Sequence, residues 1–196
     1  MLLHLIRHGH YPLVNNALGG RDPYPLSAQG VAEAEALAEV LAERPIVAIV
    51  SSPVRRALDT AEPIARRLAM PVETDAAFNE IAFAQWTGKR FAELSEDPAW
   101  RAWNTFRGTA GVPGGETILA VQNRAVAGMM ELRERYAGRE VAVVTHADVI
   151  KVLVGHVLGA PLDLMHRMEI TPASVSRIEV QAAAAKVLAM NWTAPG

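Results

Sequence analysis

Residues 2–9 read Leu-Leu-His-Leu-Ile-Arg-His-Gly, and this stretch indicates an α/β fold. The apolar run from Leu2 to Ile6 has the length and character of a strand that is buried on both faces. Gly9 follows soon after it and favours a loop. Such strands are typical of α/β proteins, in which the loops after the strands carry the active site.

The chain continues with alternating predicted helices and strands. Ser27 has the character of an N-cap for an amphipathic helix that Pro45 stops, and the apolar run from Ile46 to Val50 predicts a second strand. The sequence Ser51-Ser52-Pro53 predicts the start of a second helix, with the proline at its first helical position. These segments form a βαβ unit, which joins parallel strands.

Four further strands and two further helices complete the predicted pattern. The strands lie near residues 71–74, 141–145, 174–180 and 187–190, and the helices near residues 117–138 and 147–158. This alternation predicts a three-layer α/β/α sandwich with a mainly parallel central sheet. Residues 78–115 have no clean period, and we expect this cap segment to form a small, partly helical cap inserted into a single domain over residues 1–196.

The composition limits the possible function classes. The chain has 196 residues, a formal net charge of −2 and no cysteine, which allows one sizeable core and excludes thiol nucleophiles, disulfides and thiolate metal sites. Balanced charge argues against nucleic-acid binding or a membrane surface as partner. Neither a signal peptide nor a membrane span is recognisable, so we expect a cytoplasmic protein, either a monomer or a homodimer.

Cationic and polar side chains follow three of the predicted strands. Arg7-His8-Gly9 follows the first, Ser51-Ser52 with Arg55-Arg56 follows the second, and Thr145-His146 follows the fourth. Because the carboxyl ends of parallel strands share one edge of a sheet, these groups can converge there. Guanidinium forks beside helix N-termini are suited to a phosphate group. The sequence therefore predicts a phosphate site at this edge.

Six short motifs occur in order along the chain. They are Arg7-His8-Gly9; Gly20-Arg21-Asp22 with Pro25-Leu26-Ser27 and Gly30; Ser51 to Ala57 with Thr60-Ala61; Asn79-Glu80-Ile81 through Trp86-Thr87-Gly88; Pro113-Gly114-Gly115-Glu116-Thr117; and Val144-Thr145-His146. Their order and spacing over residues 2–155 resemble those of the histidine phosphatase superfamily, the phosphoglycerate-mutase-like proteins, in its short bacterial-type phosphatase branch. The resemblance implies hydrolysis of a phosphomonoester, and we expect a small phosphorylated metabolite as substrate. The sequence does not name the leaving group, so sugar phosphates, phosphoglycerate, nucleotide or cofactor phosphates and phosphoproteins all stay open.

The resemblance also implies catalytic roles for five residues. His8 would be the nucleophile that takes the phosphoryl group onto its ring. Arg7, Arg56 and His146 would surround that group and stabilise the charge of the transition state. Glu80 would protonate the leaving alkoxide and then activate water. No metal and no cofactor are implied, because cationic side chains neutralise the phosphoryl charge.

Further residues are expected to contact the substrate. The backbone N–H of Ala147 is the expected additional donor to phosphate, and candidate substrate contacts are His10, Asn15, Gly20 and Arg21. His10 stands where relatives usually carry Glu, Gln or Asn. Asp148, which directly follows Ala147, adds negative charge close to the expected anion.

Several residues with reactive side chains are expected to have no catalytic role. In the family that the sequence resembles, the phosphate-binding arginine of this motif directly precedes the alanine, which selects Arg56. Arg55 is therefore interpreted as a surface or auxiliary residue. We expect His4, His156 and His166 to be structural.

Three other functions compete with hydrolysis. A cofactor-dependent phosphoglycerate mutase would keep its phosphoenzyme away from water, whereas the short cap segment predicts access for water. A metal site made of His8, His10 and His146 would require stoichiometric metal, and nearby arginines would repel the cation. A non-catalytic phosphate-binding module would be expected to lack Glu80, which is present here.

Overall fold

The computed structural model describes residues 1–194, which form a sheet of six strands flanked by helices. The strands are β1 (Leu2–Arg7), β2 (Ile46–Ser51), β3 (Val72–Thr74), β4 (Glu140–Thr145), β5 (Val175–Val180) and β6 (Ala185–Trp192). The α-helices are α1 (Ala28–Leu41), α2 (Arg55–Leu68), α3 (Phe91–Leu94), α4 (Pro98–Thr105), α5 (Ile118–Arg135) and α6 (Ala147–Leu158). Short 3-10 helices span Ala76–Phe78, Ala84–Trp86 and Leu162–Arg167.

The strands are arranged in the order β3-β2-β4-β1-β5-β6. Strands β3, β2, β4 and β1 are parallel to their neighbours, and β5 is antiparallel to both β1 and β6. In this register Arg7 is paired with Thr145, and Ser51 with Val144. The carboxyl ends of β1, β2 and β4 therefore meet at one edge, and the prediction of a mainly parallel sheet is confirmed.

Helices pack on both faces of the sheet. Successive residues of a strand point to opposite faces, and here the side chains on both faces are apolar and need to be covered. On β1, Leu5 belongs to the core cluster that includes α5, α6 and the cap segment. Its neighbour Ile6 belongs to the cluster that includes α1 and α2. Apolar side chains on both faces explain why the strands appear in the sequence as continuous apolar runs.

Local signals fix most helix ends. The Ser27 side chain accepts a hydrogen bond from the Gly30 N–H, as expected of an N-cap, and Gly159 ends α6 with a positive φ of 67°. The prediction for α2 is wrong at one point, because Pro53 precedes the helix and Val54 is its N-cap. The Ser52 hydroxyl accepts the Val54 N–H at 3.3 Å, so the chain makes a turn before the helix begins.

The cap segment is built on its own aromatic cluster. It contains α3 and α4, and its tryptophans Trp86, Trp100 and Trp103 have ring centroids 5.2–5.9 Å apart. Trp86 and Trp103 are buried, so these side chains stabilise the cap rather than present an exposed surface. Within residues 1–194, no helix combines the length and the apolar character needed to span a bilayer.

Candidate active site

The candidate site lies where β1, β2 and β4 end. His8 follows β1, Arg56 lies in the first turn of α2, and His146 is the N-cap of α6. All three side chains are buried, with Arg56 only 1% exposed. A buried guanidinium is retained only when partners compensate its loss of hydration. The partners of Arg56 therefore define the site.

Arg56 joins three parts of the chain through its hydrogen bonds. Its Nε donates to Nε2 of His8 at 3.0 Å. Its Nη2 donates to the Gly20 carbonyl oxygen at 2.7 Å and to Nδ1 of His146 at 3.2 Å. The guanidinium carbon lies 4.9 Å from the ring centre of Tyr11, and Nη1 is buried without a hydrogen-bond partner. One donor of a fixed guanidinium thus remains free for a ligand.

The hydrogen bonds of His8 define its tautomer. Nδ1 lies 2.8 Å from the Gly9 carbonyl oxygen, which can only accept, so Nδ1 carries the ring proton. Nε2 therefore holds a lone pair, which accepts the Arg56 hydrogen bond. Burial has the largest effect on the pKa of His8, and the charges of Arg56 and Arg7 add to it. The pKa therefore lies well below 6.5. His8 is consequently a neutral imidazole at physiological pH.

His146 is fixed in the opposite tautomer. Its Nδ1 accepts from Arg56, which can only donate, so the proton is on Nε2 and is donated to the Ser52 hydroxyl at 2.8 Å. The Ser52 hydroxyl in turn donates to Oδ1 of Asn79 at 3.3 Å. Burial and the Arg56 charge keep the pKa of His146 well below 6.5. Its ring centre lies 5.2 Å from that of His8.

Glu80 brings a carboxyl group to His146 and Arg56. Its Oε2 lies 3.5 Å from Nη2 of Arg56 and 3.6 Å from Nδ1 of His146, and its Oε1 accepts the Ile81 N–H at 2.9 Å. Burial raises the pKa of Glu80 to about 7, and the Arg56 charge only partly offsets this effect. A carboxyl with this pKa can both give and take a proton near neutral pH.

Arg7 supplies a second buried cation. Its Nη1 donates to the Ile170 carbonyl oxygen at 2.6 Å, and its Nε is buried without a partner. Burial lowers the pKa of Arg7, although a guanidinium stays charged in proteins. The charges of Arg7 and Glu80 are close enough to affect each other. The site therefore offers two guanidiniums to an anion.

The structure gives hydrogen-bond partners to three of the residues predicted as substrate contacts. The Gly20 carbonyl accepts from Arg56, and Arg21 donates to the Glu80 carbonyl oxygen at 2.8 Å. His10 shares a hydrogen bond with the Ser27 hydroxyl, and Asn15 is exposed with a φ of 63°. Ala147 opens α6, so its N–H belongs to the first turn, where helix donors have no intrahelical acceptor.

Two neighbours of the site are not indicated by the sequence patterns. Tyr11 packs edge-on to His8, with ring centres 5.4 Å apart, and also lies beneath Arg56. Arg107 of the cap places Nη1 3.4 Å from the Asp148 carboxylate while stacking 3.9 Å from the ring centre of Trp103. Tyr11 and Arg56 come from different parts of the chain, and Arg107 and Asp148 are 41 residues apart, so no local pattern indicates these two pairings.

Residues 1–194 contain no group of three or more histidine and carboxylate side chains arranged to hold a metal ion. The site considered from His8, His10 and His146 therefore does not assemble. His10 instead pairs with Ser27.

Comparisons with known proteins agree with the predicted resemblance. The profile of the histidine phosphatase superfamily (branch 1) matches residues 3–193. Rv0525, an uncharacterized Mycobacterium tuberculosis protein, is 38% identical over 148 residues, covering 74% of this chain and 72% of that protein. A glucosyl-3-phosphoglycerate phosphatase of Mycolicibacterium vanbaalenii is 31% identical over 168 residues, covering 81% and 75%. The solved structure of Bacillus stearothermophilus YhfR matches with a TM-score of 0.92 and 29% identity, covering 98% of this chain and 97% of that one.

Proposed function

The chain belongs to the histidine phosphatase superfamily and is a phosphatase of that type; on this premise we propose that it hydrolyses small phosphomonoesters through a phosphohistidine at His8. The observation that carries the proposal is the tautomer of His8. Its Nε2 lone pair lies beside Arg56, whose Nη2 is 3.5 Å from the Glu80 carboxyl, while the Gly9 carbonyl holds the ring proton on the other nitrogen. The site therefore contains a neutral nucleophile, a cationic fork and an acid.

The first step transfers the phosphoryl group to the protein. Nε2 of His8 attacks phosphorus, the bond from phosphorus to the ester oxygen breaks, and the Glu80 carboxyl gives its proton to the departing oxygen. Arg7 and Arg56 hold the phosphoryl oxygens and stabilise the charge that develops on them. The free donors Nε of Arg7 and Nη1 of Arg56 are the groups available for this contact.

The second step returns the protein to its starting state. Water attacks phosphorus, the Glu80 carboxylate takes a proton from it, and the bond from Nε2 of His8 to phosphorus breaks. Inorganic phosphate leaves, and both side chains regain their original protonation states. A pKa of about 7 suits Glu80 for both directions of proton transfer.

Water, rather than a second phosphorylated molecule, is the proposed acceptor. The α-helices of the cap segment are short, with 4 residues in α3 and 8 in α4. From this short cap we infer that water reaches the phosphohistidine. The burial of His8 and Arg56 favours a small metabolite as substrate, because only a slender ester can bring its phosphate to them.

The test is phosphate release from a panel of phosphomonoesters in the presence of a chelator, followed by rapid quench in base, with one aliquot then treated with acid. We expect turnover, and we expect base-stable, acid-labile phosphate on the wild-type protein. His8→Ala should lose both, and His156→Ala, which removes an exposed histidine on α6, should keep both. Full activity in His8→Ala, or the absence of turnover with every ester, would contradict the proposal. Isomerisation of a phosphoglycerate without net phosphate release would favour the mutase.

A further inference from the structure

The motif Pro113-Gly114-Gly115-Glu116-Thr117 has no role in the reaction described above, yet it lies against the segment that carries Glu80. Gly115 approaches this segment so closely that an added Cβ would lie 2.0 Å from the Ala82 carbonyl oxygen. The next residue, Glu116, donates its N–H to the same carbonyl at 3.1 Å. The glycine therefore permits a backbone contact that any side chain would prevent.

The Glu116 carboxylate gathers donors from three parts of the chain. Its Oε2 accepts the Ala82 N–H at 2.9 Å, Nη2 of Arg21 at 2.8 Å and Nη2 of Arg124 at 3.2 Å. Its Oε1 accepts Nε of Arg124 at 3.0 Å. Burial alone would raise the pKa of Glu116, but hydrogen bonds from Arg124 and the Ala82 N–H outweigh burial and lower it. Glu116 is therefore ionised at neutral pH.

The two arginines bound to Glu116 also bind the backbone of Glu80. Nε of Arg21 donates to the Glu80 carbonyl oxygen at 2.8 Å, and Nη2 of Arg124 donates to the same oxygen at 3.2 Å. Nη1 of Arg124 donates to the Ala77 carbonyl at 2.8 Å. One carboxylate thus orients two guanidiniums onto one peptide group.

We propose that Glu116, with Arg21 and Arg124, forms a clamp that positions Glu80 for proton transfer to the leaving group. Glu116 is then a positioning residue, and the inference rests on the proposed role of Glu80. Glu80 lies between two short 3-10 helices, outside the sheet, so no strand pairing holds its backbone. Its Oε2 contacts to Arg56 and His146 are long, at 3.5 and 3.6 Å. The placement of its carboxyl therefore depends on how firmly its backbone is held.

Two esters with different leaving groups report on this role. The alkoxide released from benzyl phosphate needs a proton, whereas p-nitrophenolate leaves readily without one. The kcat/KM value covers the steps up to phosphoryl transfer, so it measures the help that Glu80 gives to the leaving group. A general acid contributes about 10²–10⁴-fold. Glu80→Gln should therefore lower kcat/KM by about 10²-fold or more for benzyl phosphate and far less for p-nitrophenyl phosphate.

The clamp is tested by a double-mutant cycle between Glu116→Gln and Glu80→Gln. In the wild-type background Glu116→Gln should lower kcat/KM about tenfold for benzyl phosphate and less than about threefold for p-nitrophenyl phosphate, because small displacements of a catalytic group are costly. In the Glu80→Gln background the same change should have less than about a twofold effect. Additive losses, or equal losses with both esters, would overturn the inference.

Glu140→Gln is the matched control. Glu140 accepts hydrogen bonds from Arg44 and His4 at the opposite end of β4. Glu140→Gln therefore removes a similar partly buried carboxylate charge far from the site. We expect no change in the ratio of the two kcat/KM values. If Glu116→Gln does not fold, Arg21→Ala tests the clamp instead. Arg21 is 40% exposed, and it donates a hydrogen bond to the Glu80 carbonyl oxygen. Arg21→Ala should also lose activity selectively with benzyl phosphate, and that loss should vanish in the Glu80→Gln background.

The cycle separates the two hypotheses. If Glu80→Gln shows no selective loss with benzyl phosphate, the proposed acid role of Glu80 fails. If Glu80→Gln shows the loss and Glu116→Gln does not, the positioning role of Glu116 alone fails.

Discussion

Nε of Arg56 lies 3.0 Å from Nε2 of His8 and donates a hydrogen bond to the lone pair that attacks phosphorus in the proposed reaction. The hydrogen bond from Nδ1 of His8 to the Gly9 carbonyl fixes the other side of the ring. Substrate binding must therefore move the Arg56 donor from the imidazole to a phosphoryl oxygen. The tautomer of His8 is already set before the substrate arrives, so only the Arg56 donor has to move before phosphoryl transfer.

The rate of phosphoryl transfer should depend on pH through Glu80 and His8. Transfer requires a protonated Glu80, whose pKa is about 7, and a neutral His8, whose pKa lies well below 6.5. We expect kcat/KM for benzyl phosphate to reach a plateau below pH 7 and to fall above it. Glu80→Gln should remove the basic limb. A wild-type profile that rises through pH 7 and remains high at pH 9 would contradict this assignment.

The same carboxyl should give stability a pH dependence. The pKa of Glu80 is raised from 4.5 to about 7, so the folded protein keeps a proton that the unfolded chain has lost in this range. Its contribution to stability is complete below about pH 4.5 and is lost as the pH rises through 7. Between these values the free energy of unfolding should fall relative to Glu80→Gln by at most about 3 kcal/mol.

Urea titrations at a series of pH values measure this difference. His8 and His146 are present in both proteins, so their contributions cancel in the comparison. A difference between wild type and Glu80→Gln that is constant across this range would show that Glu80 titrates normally.

Local signals in the sequence predicted most of the fold. The apolar runs, the Ser27 cap and Gly159 act over a few residues, so their effects are visible without knowledge of the rest of the chain. The start of α2 was predicted wrongly because the Ser52 hydroxyl serves the turn and also accepts the proton of His146. That second partner is 94 residues away.

The candidate site was predictable where its residues directly follow strands. His8, Arg56 and His146 come together because the register of the sheet brings the ends of β1, β2 and β4 to one edge. Arg21 shows the limit of such reasoning. Its donors go to Glu80 and to Glu116, which is 95 residues away, and no periodicity specifies that pairing. Its predicted contact with substrate stays a prediction.

The ion pair between Arg107 and Asp148 should adjust the basic limb of the pH profile. Asp148 adds negative charge near Glu80, which raises its pKa, and Arg107 lies 3.4 Å from that carboxylate. Asp148→Asn should shift the basic limb to lower pH, by about half a unit. Arg107→Ala leaves the Asp148 charge without its cation and should shift the limb to higher pH.

The opposite directions of these shifts make the measurement decisive. In the double variant the shift caused by Arg107→Ala should largely disappear, because the charge that it exposes is gone. Profiles of kcat/KM for benzyl phosphate from pH 5 to 9 give the shift of the basic limb in Asp148→Asn, in Arg107→Ala and in the double variant. Shifts in the same direction would mean that the pair acts by holding the cap rather than by its charge.

Arg56 and Arg55 test whether the arginine motif has been placed in the correct register. Arg56 is 1% exposed and contacts both histidines, so Arg56→Ala removes a charge-assisted fork from a desolvated anion. We expect kcat/KM to fall by about 10²–10³-fold, equivalent to about 3–4 kcal/mol of transition-state stabilisation. Arg56→Lys should recover only part of this loss, because an ammonium keeps the charge without the planar fork.

Arg55 is the natural control, because it is the adjacent residue on the same helix turn. Its side chain is 59% exposed and pairs with Asp59 four residues along α2. An exposed pair of this kind contributes little to stability, and Arg55 lies about 100° around the helix axis from Arg56. Arg55→Ala should change kcat/KM less than about twofold. Equal losses from the two substitutions would show that both arginines serve the substrate, and a larger loss at Arg55 would place the motif one residue earlier.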